Sequence, residues 1–148
     1  MFMEKGYDSV TMADVAAASE VSLSTVFNYF PKKETLVFDI EEELGVKLAE
    51  AVRDRAKDES ILDALKRYFL ESPHFNPPSK KIFLDFMKLV RSTPELSSYF
   101  RMTLARYEGL LAKEIQKESE VSKLEAECIS KLVLEGLSPS VMIKRLAS

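Results

Sequence analysis

The chain has 148 residues, of which 46% are hydrophobic and 30% charged, and its formal net charge is −3. These values are ordinary for a folded globular protein and argue against disorder, while the net negative charge argues against a general attraction to nucleic acid. No apolar window approaches the ~18 residues of a membrane span. The first residues, MFMEKGYDS, lack the basic and apolar parts of a secretory signal, so a cytoplasmic protein with no membrane partner is expected.

The N-terminal part predicts two short helices. Thr11 and Asp14 have the spacing of a capping box, in which each side chain satisfies the backbone N–H of the other residue. This predicts a helix over residues 12–18. Ser22 is a good N-cap for a second helix, which we expect over residues 23–29.

The rest of the chain predicts further helices and no strand. Only four glycines and six prolines interrupt the whole sequence, and apolar residues recur at spacings of three and four, as on one face of a helix. The predicted fold class is therefore all-α. The predicted elements are a long helix from Lys33 to about Asp58, a helix after Ser60, a loop over residues 72–79, a helix over 80–91, helices after Thr93 and Ser122, and a short last helix over 140–146.

Little in the sequence supports catalysis or metal binding. There is one histidine and one cysteine, with no glycine-rich phosphate loop and no His-Glu-x-x-His pattern. His74 stands alone in a proline-rich loop, where a solvated side chain is expected. Cys128 is interpreted as a buried small apolar residue rather than a reactive thiol. The sequence therefore predicts no enzyme, no metal and no cofactor.

Two short helices separated by three residues have the dimensions of a helix-turn-helix, whose second helix fits the major groove of DNA. Apolar residues that could pack the two helices together are Val15, Ala18, Val21, Val26 and Phe30. Polar residues left to point outward are Ser22, Ser24, Thr25, Asn28 and Tyr29. Hydroxyl groups can approach phosphates and base edges, and an asparagine can pair with adenine. Lys33 would add a positive charge for phosphate binding.

A second interpretation of residues 11–36 is a helical hairpin that serves only for packing. Residues 1–40 contain three lysines and six acidic residues, so the segment expected to contact DNA is formally acidic. Any affinity for DNA must therefore come from the direction in which a few donors point, not from net charge.

The stretch GYDSVTMADVAAASEVSLSTVFNYFPKKETLV, residues 6–37, closely resembles the N-terminal DNA-binding region of TetR-family transcriptional regulators. The similar features are Thr-Met-x-x-Val-Ala, a turn ending in Val-Ser, and Thr-Val-Phe-x-Tyr-Phe-x-x-Lys-Glu-x-Leu. The segment RSTPELSSYF, residues 91–100, is also similar to a helix junction of that family.

The resemblance implies a role for each matching position. Thr11 would cap a helix against the DNA backbone, and Tyr29 and Lys33 would bind phosphates. The residues facing the major groove would be Leu23, Ser24, Thr25 and Asn28. It also implies an N-terminal helix-turn-helix over residues 1–38, followed by a ligand-binding and dimerisation bundle over residues 39–148. The homodimer would form through the last two long helices.

Two features depart from the family pattern. The turn is Ser19-Glu20-Val21, where the family usually has a glycine in a left-handed conformation, and a non-glycine residue there costs about 1–2 kcal/mol. The family's first helix also extends two or three turns further, whereas this chain begins at Met1. The expectation is a first helix truncated at its N terminus, with three or four core side chains missing and a loss on the order of 5–10 kcal/mol.

Aromatic residues in the C-terminal part could line a pocket for an apolar or aromatic small molecule, although core packing explains them equally well. The candidates for the pocket are Phe69, Phe83, Phe86, Met87, Phe100 and Tyr107. The function predicted is a ligand-responsive regulator, a repressor, that binds a pseudo-palindromic double-stranded DNA operator as a homodimer. The alternative is a helical small-molecule-binding or dimerisation module that has lost DNA binding.

Overall fold

The computed structural model describes residues 1–38, 42–73 and 75–147; His74 therefore lies outside the described residues. Within these ranges the chain is helical and has no strand, which confirms the predicted all-α class. No described helix is long and apolar enough to cross a bilayer. The described helices are α1 (Phe2–Lys5), α2 (Met12–Ala18), α3 (Leu23–Tyr29), α4 (Lys33–Val37), α5 (Glu42–Arg53), α6 (Ile61–Glu71), α7 (Lys80–Ser92), α8 (Pro94–Glu118), α9 (Lys123–Glu135) and α10 (Pro139–Ala147).

Residues 1–38, called the head below, contain four short helices. Thr11 and Asp14 form the predicted capping box at the start of α2, and Ser22 caps α3 by accepting a hydrogen bond from the Thr25 amide. These contacts satisfy backbone N–H groups that a helix start leaves free. The bounds of α2 and α3 agree with the predicted helices over residues 12–18 and 23–29.

Residues 42–147, called the body below, pack around the 25-residue helix α8. Helices α5, α7 and α9 contact α8, and α10 packs on α7. Ser60 and Ser122 cap α6 and α9 as predicted, and Pro94 occupies the first turn of α8 after Thr93. The largest fully buried apolar side chains of the body are Leu48, Val52, Leu65, Val90, Leu96, Tyr107, Leu111, Ile115, Leu134 and Met142.

One close helix contact in the body depends on a glycine. A Cβ atom added to Gly45 of α5 would lie 2.3 Å from Cδ1 and 2.9 Å from Cγ of Tyr107. Tyr107 is buried in α8, so an added Cβ would force its ring or the backbone of α5 to move. The absence of a side chain at position 45 is therefore what allows α5 to approach α8 at this point.

The expected long helix from Lys33 to Asp58 is wrong, because α4 ends before Phe38. Phe38 leaves the helical conformation, with φ −115° and ψ 31°, and its buried ring stacks on Tyr99 with centroids 5.4 Å apart. Its ring also lies 5.8 Å from the ring of Phe100. The head therefore contacts the body through the Phe38 ring, which packs in the core, and α4 does not continue through Phe38 as one long helix.

The expected burial of Cys128 is also wrong, since its side chain is exposed. Helix α9 buries Ala126, Ser130 and Leu134, which recur every four residues. Cys128 is two positions from the first two of these, or about 200° around the helix axis. It therefore lies on the opposite, outer face of α9, which the apolar pattern alone did not reveal.

Candidate nucleic-acid interface and effector cavity

The turn between α2 and α3 places Glu20 in the left-handed region, at φ 55°. Two backbone hydrogen bonds close the turn: Glu20 N–H donates to the Ala17 carbonyl at 3.2 Å, and Val21 N–H donates to the Ala16 carbonyl at 3.0 Å. This is the hydrogen-bond pattern of a Schellman motif, in which glycine is the usual residue at the left-handed position. The turn therefore has the geometry expected for the family's glycine, with a glutamate in that place.

The packing between α2 and α3 differs in part from the prediction. Val26 is buried, and Val15 and Phe30 are half-buried, as expected for residues that hold the two helices together. Ala18 and Val21 were expected there as well, but both are exposed. Ala18 lies about 200° around the axis of α2 from the buried Ala16 and therefore faces outward. Val21 belongs to the turn that follows and is exposed there.

Three hydroxyl groups meet at the start of α3. Ser22 Oγ lies 2.8 Å from Ser24 Oγ and 2.7 Å from Thr25 Oγ1, and it also accepts a hydrogen bond from Thr25 N–H at 3.1 Å. These three bonds use the full hydrogen-bonding capacity of the Ser22 hydroxyl, whereas the Ser24 and Thr25 hydroxyls each retain some for an external partner. Ser22 and Ser24 are exposed and Thr25 is half-buried, so the cluster presents hydroxyl groups to a molecule that approaches this end of α3.

The remaining predicted contacts of α3 also face solvent. Leu23, Asn28 and Tyr29 are exposed, with Tyr29 at 77% of its maximum area. Phe27, which was not among the predicted DNA-binding residues, is exposed as well. Phe27 lies about 100° around the helix axis from the buried Val26, so the helical period places it on a side of α3 that is neither buried nor directly opposite Val26. The helical period was thus a signal that could have identified it.

Thr11 and Lys33, which were also predicted to contact DNA, are already engaged within the chain. Thr11 N–H donates to Asp14 Oδ2 at 2.7 Å, and hydrogen bonds from Thr11 lower the pKa of the Asp14 carboxyl. Lys33 donates to the Tyr7 carbonyl and lies 4.0 Å from the centroid of the Tyr7 ring. Burial, followed by the charge of Glu34, raises the pKa of the Tyr7 phenol. The Lys33 ammonium has three N–H donors, so this contact does not use all of them.

A cavity of about 470 Å³ lies between the head and the body. Of the six candidate pocket residues, five line this cavity: Phe83, Phe86, Met87, Phe100 and Tyr107. Phe69 is not among the lining residues; its ring packs against Phe75, with centroids 4.7 Å apart. The sequence pattern did not indicate the lining residues that lie far from α7 and α8 in the chain, including Met3, Phe38, Leu137 and Met142.

The walls of the cavity are formed mainly by apolar side chains. Among the described lining residues none is charged, and the polar ones are Ser79, Thr103 and Tyr107. Within the described part of the chain there is also no group of three His, Cys, Asp or Glu residues that could hold a metal ion. The cavity therefore suits an apolar molecule that makes only one or two hydrogen bonds.

The arrangement of α2 and α3 defines a helix-turn-helix, with the outer face of the second helix available to a ligand. Residues 1–40 match the model of the family described as bacterial regulatory proteins, tetR family. The match covers the 40 N-terminal residues, which contain the helix-turn-helix.

Similarity to individual proteins extends somewhat further along the chain. Over 68 residues it is 34% identical to the HTH-type transcriptional regulator Mb3439c of Mycobacterium bovis and to the HTH-type transcriptional repressor Rv3405c of Mycobacterium tuberculosis. The alignment covers 46% of this chain and 36% of each relative. The matched stretch thus spans about a third of the length of these relatives.

Proposed function

We propose that the chain is a ligand-responsive repressor that binds a pseudo-palindromic DNA operator as a homodimer. In this proposal residues 1–38 bind DNA, while residues 39–148 bind an apolar or aromatic small molecule and hold the dimer together. The observation that carries the proposal is the outer face of α3, where Ser24, Asn28 and Tyr29 are exposed while Val26 anchors the helix from behind. The similarity to Rv3405c, which is named a transcriptional repressor, supports repression as the direction of regulation.

Binding to DNA is tested by selecting duplexes from a random pool with the full chain and measuring affinity for the selected sequence. We expect Asn28→Ala to weaken binding about 10- to 100-fold, which corresponds to roughly 1–3 kcal/mol for an amide that contacts a base. Gln116→Ala, which removes another exposed amide from α8, is the matched control and should bind normally. Affinity should also fall steeply as the salt concentration rises.

One observation favours the alternative, a helical small-molecule-binding or dimerisation module without DNA binding. Residues 1–40 contain three lysines against six acidic residues, which is unfavourable for a DNA-binding surface. If selection returns no preferred sequence at low or high salt, the repressor proposal is wrong and this module is what remains.

The proposed dimer is supported by an apolar stripe on the outer face of α9. Leu124 and Leu132 are 69% and 77% exposed, and Cys128 lies between them at the same four-residue spacing. A contiguous exposed apolar stripe favours a protein interface. In a two-fold dimer built on α9, the two α3 helices would need a separation of about 34–36 Å to enter successive major grooves.

The dimer is tested by sedimentation velocity. Leu132→Glu places a charge in the stripe and should shift the protein towards monomer at micromolar concentration. Leu62→Glu, on the exposed side of α6, is the matched control and should leave the mass unchanged. Equal masses for both variants would show that the stripe on α9 is not the interface.

The proposed response to a ligand rests on the position of the cavity. Met3 and Phe38 of the head and Phe86 and Phe100 of the body line it together, so one occupant would touch both regions. A volume of about 470 Å³ is within the range of about 300–1,000 Å³ that is usual for ligand pockets. We expect the bound molecule to favour a different position of the Phe38 ring and hence of the head, which would weaken operator binding.

Occupancy of the cavity is tested with 1-aminoanthracene, a neutral aromatic probe whose fluorescence rises in apolar surroundings. The wild-type chain should bind it with a stoichiometry of one. Thr103→Phe fills part of the cavity and should abolish this binding, whereas Met102→Phe changes the exposed neighbouring residue of α8 and should not. Loss of binding in both variants, or in neither, would overturn the assignment of the cavity as the ligand site.

A further inference from the structure

Helix α3 keeps two large apolar side chains at its surface. Leu23 and Phe27 are 43% and 46% exposed, and they are four residues apart, so they lie on the same side of the helix. They are not needed to attach α3 to the head, because Val26 is buried and Phe30 is half-buried. Packing within the head therefore does not explain why α3 has these two apolar residues at its surface.

The position of this pair relative to the polar residues is defined by the helical period of about 100° per residue. With Val26 pointing inward, Ser24 and Asn28 lie on the opposite, outermost strip. Leu23 and Phe27 lie on one flank of that strip, and Thr25 and Tyr29 lie on the other. The outer surface of α3 therefore has three parallel parts: an apolar flank, a central polar strip and a flank of hydroxyl groups. We define Leu23 and Phe27 as the apolar flank.

The major groove of DNA offers partners for all three parts. Base edges carry hydrogen-bond donors and acceptors, which suit the central strip, and the phosphates that border the groove accept hydrogen bonds from hydroxyl groups. The apolar group that bases present in this groove is the C5-methyl group of thymine. Apolar side chains next to a base-contacting asparagine thus have one matching partner on DNA.

We infer that Leu23 and Phe27 contact thymine methyl groups, so that each half of the operator contains thymine next to the base pair contacted by Asn28. The inference rests on the proposed DNA-binding function and adds a chemical requirement for the sequence that is bound.

A protein partner fits the apolar flank less well. A fully buried phenylalanine contributes about 150–250 Å² of apolar area, and one leucine adds less than that. A stable protein interface buries about 800 Å² on each partner. The apolar flank is far below this value, and it is continuous with the polar strip that faces DNA.

The test uses the operator selected by the full chain and replaces its thymines by deoxyuridine one position at a time. This replacement removes the methyl group and leaves the hydrogen-bonding edge unchanged. We expect wild-type affinity to fall about fourfold at one or two positions of each half-site, as estimated from the transfer free energy of one methyl group. Phe27→Ala and Leu23→Ala should bind thymine and deoxyuridine operators equally at the positions they contact.

Tyr29→Phe is the matched control, because it alters the hydroxyl flank and should retain the preference for thymine. Both members of the apolar flank are exposed, and circular dichroism should show unchanged helix content in their variants. If the wild type binds every deoxyuridine operator as tightly as the thymine operator, the inference is wrong while the proposed function stands. If no sequence is selected at all, the proposed function fails and the inference fails with it.

Discussion

The helices of the head are short and bury few side chains, one each in α2 and α3 and none in α1 and α4, whereas the helices of the body share one large core. Thr11 and Ser22 cap α2 and α3, which each have seven residues. In the body, Leu48 of α5, Leu111 of α8 and Leu134 of α9 are fully buried in one core. Local hydrogen bonds are therefore expected to decide the stability of the head, and core volume that of the body.

The largest expected effect is in the body core. Leu111→Ala removes a fully buried side chain from α8 and should lower the free energy of unfolding by about 2–5 kcal/mol, because it loses apolar burial and leaves a cavity. Denaturant titration of both proteins measures the difference. Leu62→Ala, 63% exposed on α6, is the control and should change stability by less than about 0.5 kcal/mol. Similar values for both variants would contradict the described core.

The contact between α5 and α8 predicts opposite effects at two glycines. Gly45→Ala introduces a Cβ 2.3 Å from Cδ1 of the buried Tyr107 ring and should destabilise the protein by about 1–3 kcal/mol. A Cβ at Gly109, also on α8, would meet no atom within 4 Å. Gly109→Ala should therefore increase stability by about 1 kcal/mol, since alanine favours the helix. Stabilisation by both substitutions in thermal unfolding would show that the two helices do not approach as described.

The capping box of α2 tests the local interactions of the head. Thr11→Ala removes the hydrogen bond to the Asp14 amide and should cost about 0.5–2 kcal/mol. Helix content and urea denaturation measure this loss, and Ser9→Ala, which removes an exposed hydroxyl of the head outside the box, is the control. Thr11→Ser keeps the hydroxyl and should therefore retain the stability that Thr11→Ala loses.

The same box predicts a dependence on pH. Hydrogen bonds from Thr11 lower the folded-state pKa of Asp14 below its ordinary value of 3.8. The ionised carboxylate therefore contributes stability that is fully present above pH 3.8 and is lost as the pH falls through the lower, folded-state pKa. The difference in stability between the wild type and Thr11→Ala should thus shrink on acidification below pH 3.8. A constant difference over this interval would show that the Thr11 hydroxyl does not contribute to the lowered pKa of Asp14.

The contrast between the regions also explains what the sequence could predict. The capping residues, the bounds of α2 and α3 and the all-α class follow from interactions within a few residues, and all of them are confirmed. The position of α8 determines which face of α9 is buried. The burial predicted for Cys128 from the local pattern was therefore wrong. The break at Phe38 likewise depends on Tyr99 and Phe100, some sixty residues away in the chain, which no local pattern reports.

The candidate site divides in the same way. The exposed residues of α3 follow from the helical period once Val26 is known to be buried. The cavity combines Met3, Phe38 and Met142 from distant parts of the chain, so the sequence indicated only the part contributed by α7 and α8. The aromatic character of Phe69 did not reveal whether it lines the cavity; its ring packs against Phe75 instead.

The smallest expected effect concerns the turn of the head. Glu20 has φ 55°, which costs a non-glycine residue about 1–2 kcal/mol, while glycine loses about 0.5–1 kcal/mol more backbone entropy on folding. Glu20→Gly should therefore stabilise the protein by about 0.5–1 kcal/mol, as measured by its denaturation midpoint. Glu20→Ala removes the same carboxylate but keeps the Cβ, so it should give no such gain. Equal stabilisation by both variants would mean that the negative charge of Glu20, and not its backbone conformation, destabilises the turn.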